Sequence, residues 1–325
     1  MKRRDFVKTT GLTALGLSVL GTQDSFANDN TTHLESDDLS PSAKADENFP
    51  INFIAVGDWG RNGEYDQQEV AKQMGAWARK NSNDFIIATG DNFYPRGVVS
   101  EHDPLWNFSF ENIYTAHKLQ CDWYAVLGNH DYGSGPDAQV RYSKISRRWK
   151  MPALYYTKEV NLGNPENEKA LFVMIDTDPM LFEDKKEYVN KQMAWLEHTL
   201  ANASAKVKWK IVVGHHPAYT VGPRIKNYDT LTARKMLTDV FNKHKVDLYL
   251  SGHDHSLQHL KPIGFTHQFI SGAGSELTPV TTGIPYSRFE TSENGFMYFS
   301  VIANAIRVKA INVAGKVVYE TQLSK

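Results

Sequence analysis

Asp84-Phe85-Ile86-Ile87-Ala88-Thr89-Gly90-Asp91-Asn92-Phe93-Tyr94 is an apolar, β-branched run that stops at glycine and then delivers a carboxylate and a phenol. The run reads as a buried strand, because a strand covered on both faces shows no polar alternation. A turn at its end can aim Asp91 and Tyr94 at one point. Asp is a hard oxygen ligand able to bridge two cations. A phenol suits a strongly Lewis-acidic ion that holds phenolate near neutral pH. Taken alone, the segment is equally ordinary turn chemistry.

Four more predicted strands end the same way. Residues 51–56 run into Gly57-Asp58-Trp59-Gly60, and 123–127 into Gly128-Asn129-His130-Asp131. Residues 209–213 run into Gly214-His215-His216-Pro217, and 246–250 into Ser251-Gly252-His253-Asp254-His255. Another strand, 171–175, ends at Asp176-Thr177-Asp178. Helical spacing marks 67–80, 189–202 and 231–244, while the aromatic-rich 95–120 reads as loop with short helix. Beyond His255 the alternation stops. Residues 267–270, 296–302, 306–313 and 317–323 read as consecutive strands, with Ala314-Gly315 a hairpin turn. The pattern predicts an α/β fold: a four-layer sandwich of two mixed β-sheets flanked by helices, in one domain over 50–325.

Open α/β sheets place their ligand sites at the carboxyl ends of strands. Asp58, Asp91, Tyr94, Asn129, His215, His253 and His255 are therefore expected to converge. Each alone reads more simply as a turn, a cap or a solvated histidine. Five strand ends with the same pattern point to a metal centre with donors enough for two ions.

These ordered blocks resemble the five-block signature of purple acid phosphatases, and most of all the small tartrate-resistant acid phosphatase type. The resemblance runs from about Ile51 to the C-terminus and includes Gln192-Met193-Ala194-Trp195-Leu196 and Ser271-Gly272-Ala273-Gly274. Tyr94 carries the most weight, because the wider metallophosphoesterases share the other blocks and usually lack it. The resemblance implies the metallophosphoesterase fold and a dinuclear centre of Fe(III) with divalent Fe, Zn or Mn. It implies Asp58, Tyr94 and His255 on Fe(III), Asn129, His215 and His253 on the divalent ion, and Asp91 between them. His130 would face the phosphate of a phosphate ester substrate as the catalytic residue, and a hydroxide on the metals would attack. The family's second substrate-facing histidine is missing from Ala218-Tyr219-Thr220-Val221-Gly222-Pro223-Arg224; His216, Tyr219 and Arg224 are the candidates to replace it. A phosphodiesterase or nucleotide hydrolase, or a metal-binding protein without turnover, are the other readings of this site.

Composition sets the remaining bounds. The chain of 325 residues has a formal net charge of −1, which gives no argument for nucleic acid or an anionic membrane surface, and neither is expected as a partner. One cysteine, Cys121, permits no intrachain disulfide. Lys2-Arg3-Arg4-Asp5-Phe6, the apolar run 10–21 and Ser25-Phe26-Ala27 resemble a twin-arginine export signal over 1–27. The apolar run is shorter than the roughly 20 residues of a membrane span. Residues 28–49 are polar and acidic and read as a flexible linker. The expectation is a bacterial protein, periplasmic or secreted, that meets the twin-arginine export machinery and keeps no stable membrane association after cleavage.

Overall fold

The computed structural model describes residues 50–325; the leader and linker expected over 1–27 and 28–49 lie outside them. The element order begins β1 (Ile51–Val56), α1 (Gln67–Lys80), β2 (Phe85–Ala88), β3 (Asp122–Ala125), α2 (Asp137–Tyr142), β4 (Trp149–Lys150) and β5 (Tyr156–Asn161). It continues with β6 (Lys169–Met174), α3 (Lys186–Ala201), β7 (Val207–Val213), α4 (Tyr228–His244), β8 (Leu248–Ser251) and β9 (Leu257–Leu260). It closes with β10 (His267–Ser271), β11 (Ser287–Thr291), β12 (Gly295–Ile302), β13 (Ala305–Asn312) and β14 (Val317–Ser324). Two mixed seven-stranded sheets result, ordered β14-β13-β12-β1-β2-β3-β4 and β11-β9-β10-β8-β7-β6-β5.

Side-chain alternation builds the layers. In β6, Ala170, Phe172 and Met174 face the other sheet, while Leu171 and Val173 face the helices. Between the sheets Phe53 stacks on Phe299 with centroids 4.7 Å apart and meets Phe172 edge-on at 5.3 Å. On one outer face α1 buries Val70, Met74 and Ala78. On the other, Leu196 and Leu200 of α3 and Leu237 and Phe241 of α4 cover Val173, Val212 and Tyr249. Burial on both faces is why the central strands read as unbroken apolar runs.

The parallel strands β1, β2 and β3 lie together in one sheet and β6, β7 and β8 in the other. The loops that follow them are anchored from behind. Trp59 and Phe93, each next to a candidate ligand, are wholly buried and pack edge-on at 5.5 Å. Trp106, Phe110, Trp123 and Trp149 complete this aromatic cluster. The stretch 95–120 contributes a π-helical turn, Trp106–Glu111, and a short 3-10 turn, His117–Leu119.

Candidate metal centre

Two glycines let the strand ends meet. Gly90 has φ of +94°, and a Cβ there would sit 2.5 Å from His215 Nδ1 and 2.9 Å from the Gly128 nitrogen. At Gly252 a side chain would collide with the Asp58 carboxylate. Asp58, Asp91 and His253 themselves hold left-handed backbone, at φ of 59°, 48° and 70°. For histidine this costs on the order of 1–3 kcal/mol. The His253 N–H offsets part of it by donating to Asp58 Oδ2 at 2.9 Å.

All seven candidate ligands come together, in two groups. In the first, His215 Nε2 lies 3.1 Å from His253 Nδ1, 3.3 Å from Asn129 Oδ1 and 3.4 Å from Asp91 Oδ2. In the second, the Tyr94 hydroxyl lies 3.1 Å from Asp91 Oδ2, 3.2 Å from His255 Nε2 and 3.4 Å from Asp58 Oδ1. Asp91 Oδ2 belongs to both. Ligand atoms sharing one ion at about 2.1 Å stand about 3 Å apart, so the spacing fits.

Proton counting says what sits between them. His215 Nδ1 faces the Thr89 carbonyl at 2.9 Å, which only accepts, so Nδ1 carries a proton and Nε2 offers its lone pair to whatever cation, metal ion or proton, lies inside. His253 Nε2 likewise faces Asp229 Oδ2 at 2.8 Å, which leaves Nδ1 bare. Two imidazole lone pairs, an amide oxygen and a carboxylate oxygen therefore point at one spot. Only a cation makes that arrangement favourable. The outer hydrogen bonds to Thr89 and Asp229 fix the tautomers that metal binding requires.

The charges agree. Asp58 and Asp91 are buried, and among the described residues neither pairs with Lys or Arg. Such carboxylates are costly without a counter-charge. Burial opposes a charge on His215, but Asp91 overrides it and holds the imidazole up at about 9. In the metal-free protein a proton thus takes the cation's place, and metal uptake must displace it. Burial pushes His253 well below the usual histidine range, helped by the charge on His215. Tyr94 is held well above the usual phenol range by burial, then by the Asp91 and Asp58 charges. A phenolate there needs a strong cation. The donor set fits one.

His130 stands at the rim. Its backbone N–H donates to Asp91 Oδ1 at 2.8 Å, and its ring Nδ1 donates to the Pro95 carbonyl at 2.8 Å. Nε2 is left free, 4.0 Å from Asp91 Oδ2, on a side chain 38% exposed. The three candidates for the missing histidine fare differently. His216 is buried against the rings of His215 and His253, with centroids 5.0 and 4.4 Å away, and Thr177 Oγ1 sits 2.9 Å from its Nδ1. Arg224 pairs with Asp254 at 3.0 Å and lies 3.8 Å from Asp229, on the far side of His253. Tyr219 packs between Arg234 and Tyr286.

Sequence reasoning missed several partners. Asp131 is one of them. Its buried carboxylate accepts the backbone N–H groups of Asn92, Phe93 and Gly128 at 2.9–3.1 Å and the Gln139 amide at 2.8 Å, and so ties the Asp91–Tyr94 loop to the Asn129 loop. Asp229 gave no signal, because an acidic residue in a first helical turn is ordinary.

Residues 51–257 match the calcineurin-like phosphoesterase family. Purple acid phosphatase 17 of Arabidopsis thaliana is 35% identical over 299 residues, covering 85% of each chain. The chain belongs to the purple acid phosphatase family. It is a metal-dependent acid phosphatase, a hydrolase of phosphoric monoesters. Tartrate-resistant acid phosphatase type 5 of Homo sapiens is 30% identical over 88% of this chain and 95% of its own. Among solved structures, GAP50, the anchor in the inner membrane complex of Plasmodium, matches with a TM-score of 0.76 at 25% identity, over 85% of this chain and 89% of that one. A purple acid phosphatase from yellow lupin seeds shares the fold at 16% identity, with a TM-score of 0.64 over 86% of this chain and 54% of that one.

Proposed function

We propose that this purple acid phosphatase works through two ions, Fe(III) held by Asp58, Tyr94 and His255 and a divalent Fe, Zn or Mn held by Asn129, His215 and His253, with Asp91 between them. The observation that carries the reading is Asp91 Oδ2, which is within 3.4 Å of both donor groups. When bound, the pair supplies a water-derived nucleophile in mildly acidic solution and neutralises charge on the phosphoryl group. The protein's part is orientation. Thr89 and Asp229 hold the imidazoles, Asp131 holds the loop, and His130 Nε2 reaches a phosphate oxygen or the leaving group from the rim. Arg224 has its guanidinium committed to Asp254, so His130 is the substrate-facing proton donor on this reading.

The decisive experiment is metal analysis with a visible spectrum. A phenolate on ferric iron gives a charge-transfer band. The expected result is a coloured protein with two ions per chain, and a colourless Tyr94→Phe variant. Colour that survives in the variant would sink the iron assignment. Hydrolysis of an aryl phosphate should far exceed that of a bis-aryl phosphate; the reverse order would mean the site works on diesters.

We also propose that the protein is exported by the twin-arginine pathway to the periplasm or beyond. Arg3-Arg4, the short apolar run and Ser25-Phe26-Ala27 support this. Among the described residues no helix is long and apolar enough to cross a membrane. Arg3→Lys combined with Arg4→Lys should leave the protein in the cytoplasm; unaltered export of that variant would refute the route.

A further inference from the structure

Tyr94 has a neighbour that the metal-ligand pattern does not explain. The guanidinium carbon of Arg61 lies 3.7 Å from the centroid of the Tyr94 ring, a face-on contact. Its side chain is only 18% exposed. Arg61 Nη2 is held by Glu276 Oε2 at 2.5 Å, and the same guanidinium lies 5.0 Å from the Tyr65 ring. Arg61 follows the Asp58 loop directly. Glu276 comes 215 residues later, beside Ser275, whose hydroxyl donates to the Asp58 carbonyl. Two segments far apart in the chain thus clamp one planar cation on the face of one phenol.

A cation on an aromatic face is attracted by the ring's π electrons, more strongly where water is excluded. The attraction works both ways: the cation also stabilises those electrons against removal. The planar guanidinium suits this stacking as a lysine ammonium does not. The chain has therefore placed a fixed positive charge against the ring from which a ferric ion would draw electron density.

We propose that Arg61 is a positioning residue for Tyr94 that fixes the plane of the ring and, through its charge, sets how readily the ring gives an electron to the ion it binds. Glu276 holds the guanidinium in place and partly offsets its charge. The inference rests on Tyr94 being an iron ligand. It adds an electronic control that none of the candidate metal ligands supplies.

The test uses the full, metal-loaded protein. Arg61→Met keeps bulk and removes charge. Its visible band is expected to move to longer wavelength by on the order of 10 nm, because the ring then gives up an electron more easily. The reduction potential of the ion at Tyr94 should fall in the same variant. Glu276→Gln removes a counter-charge from a half-exposed position, so folding is not at stake, and the band should move to shorter wavelength. A wild-type band that neither substitution moves would overturn this inference alone. Shifts of the same sign in both variants would overturn the electrostatic assignment. A colourless wild-type protein would overturn both this inference and the iron reading beneath it.

Discussion

Asp91→Ala is expected to strip the site of both ions and to lower kcat/KM by at least about 1,000-fold. Removing an outer partner of a metal ligand typically costs about 10–100-fold in affinity or activity, and Asp91 lies closer to the centre than that. Among the described residues its Oδ2 is the atom common to the two donor groups, and its Oδ1 accepts the His130 backbone N–H. Losing it separates the two groups, leaves the His130 N–H without this acceptor, and removes the charge that holds the His215 proton in the metal-free state. Asp91→Asn keeps the shape and one oxygen, and should fall between the two. Metal analysis decides the matter. An Asp91→Ala protein that retains two ions per chain and near-normal turnover would show that the two groups do not share a bridge.

The second large effect is expected at His130, with a different signature. His130→Ala should lower kcat by roughly 100- to 10,000-fold, the range for losing a positioned proton donor. Both ions should stay bound. The reason is in the backbone. The group of His130 that donates to Asp91 is its main-chain N–H, which alanine keeps, while the imidazole is hydrogen-bonded to the Pro95 carbonyl and rests on the Tyr94 ring, with centroids 4.3 Å apart. The loss should be greatest for esters with poor leaving groups, because those need the proton most. Metal analysis alongside leaving-group dependence separates the roles. Loss of an ion in the variant would make the imidazole a ligand or a support; a uniform loss across leaving groups would leave it a phosphate-binding role only.

Much of the architecture was legible because it rests on local patterns. β1, β2, β7 and β8 are short apolar runs bounded by glycine; β1 has the expected ends, and those of β2, β7 and β8 differ from the expected ones by at most two residues. Helices α3 and α4 begin three residues earlier than the apolar spacing suggests, because their first turns are polar and half-exposed. Four strands escaped detection. β4 has two residues, too few to show any period. β5, Tyr-Thr-Lys-Glu-Val-Asn, is an edge strand with alternating exposure and charged side chains. β9 follows the His253–His255 loop so closely that its four residues read as part of it, and β11 is a half-exposed edge.

By itself, the sequence determined the seven candidate donor side chains and the strand ends that carry them, because a strand, its terminating glycine and the next residue are contiguous. Only the tertiary structure decided the distances between those donors and the groups that support them. Asp91 meets His215 because β2 lies in one sheet and β7 in the other, and where the sheets meet is set by packing between Phe53, Phe172 and Phe299, whereas Tyr94 reaches Asp91 within a single loop. The same holds for the supports. Asp229 reaches His253 across 24 residues, Asp131 reaches Asn92 across 39, and Glu276 reaches Arg61 across 215. Hydrogen bonds and stacked charges form wherever folding brings groups within about 3–4 Å, and no periodicity along the chain records that distance.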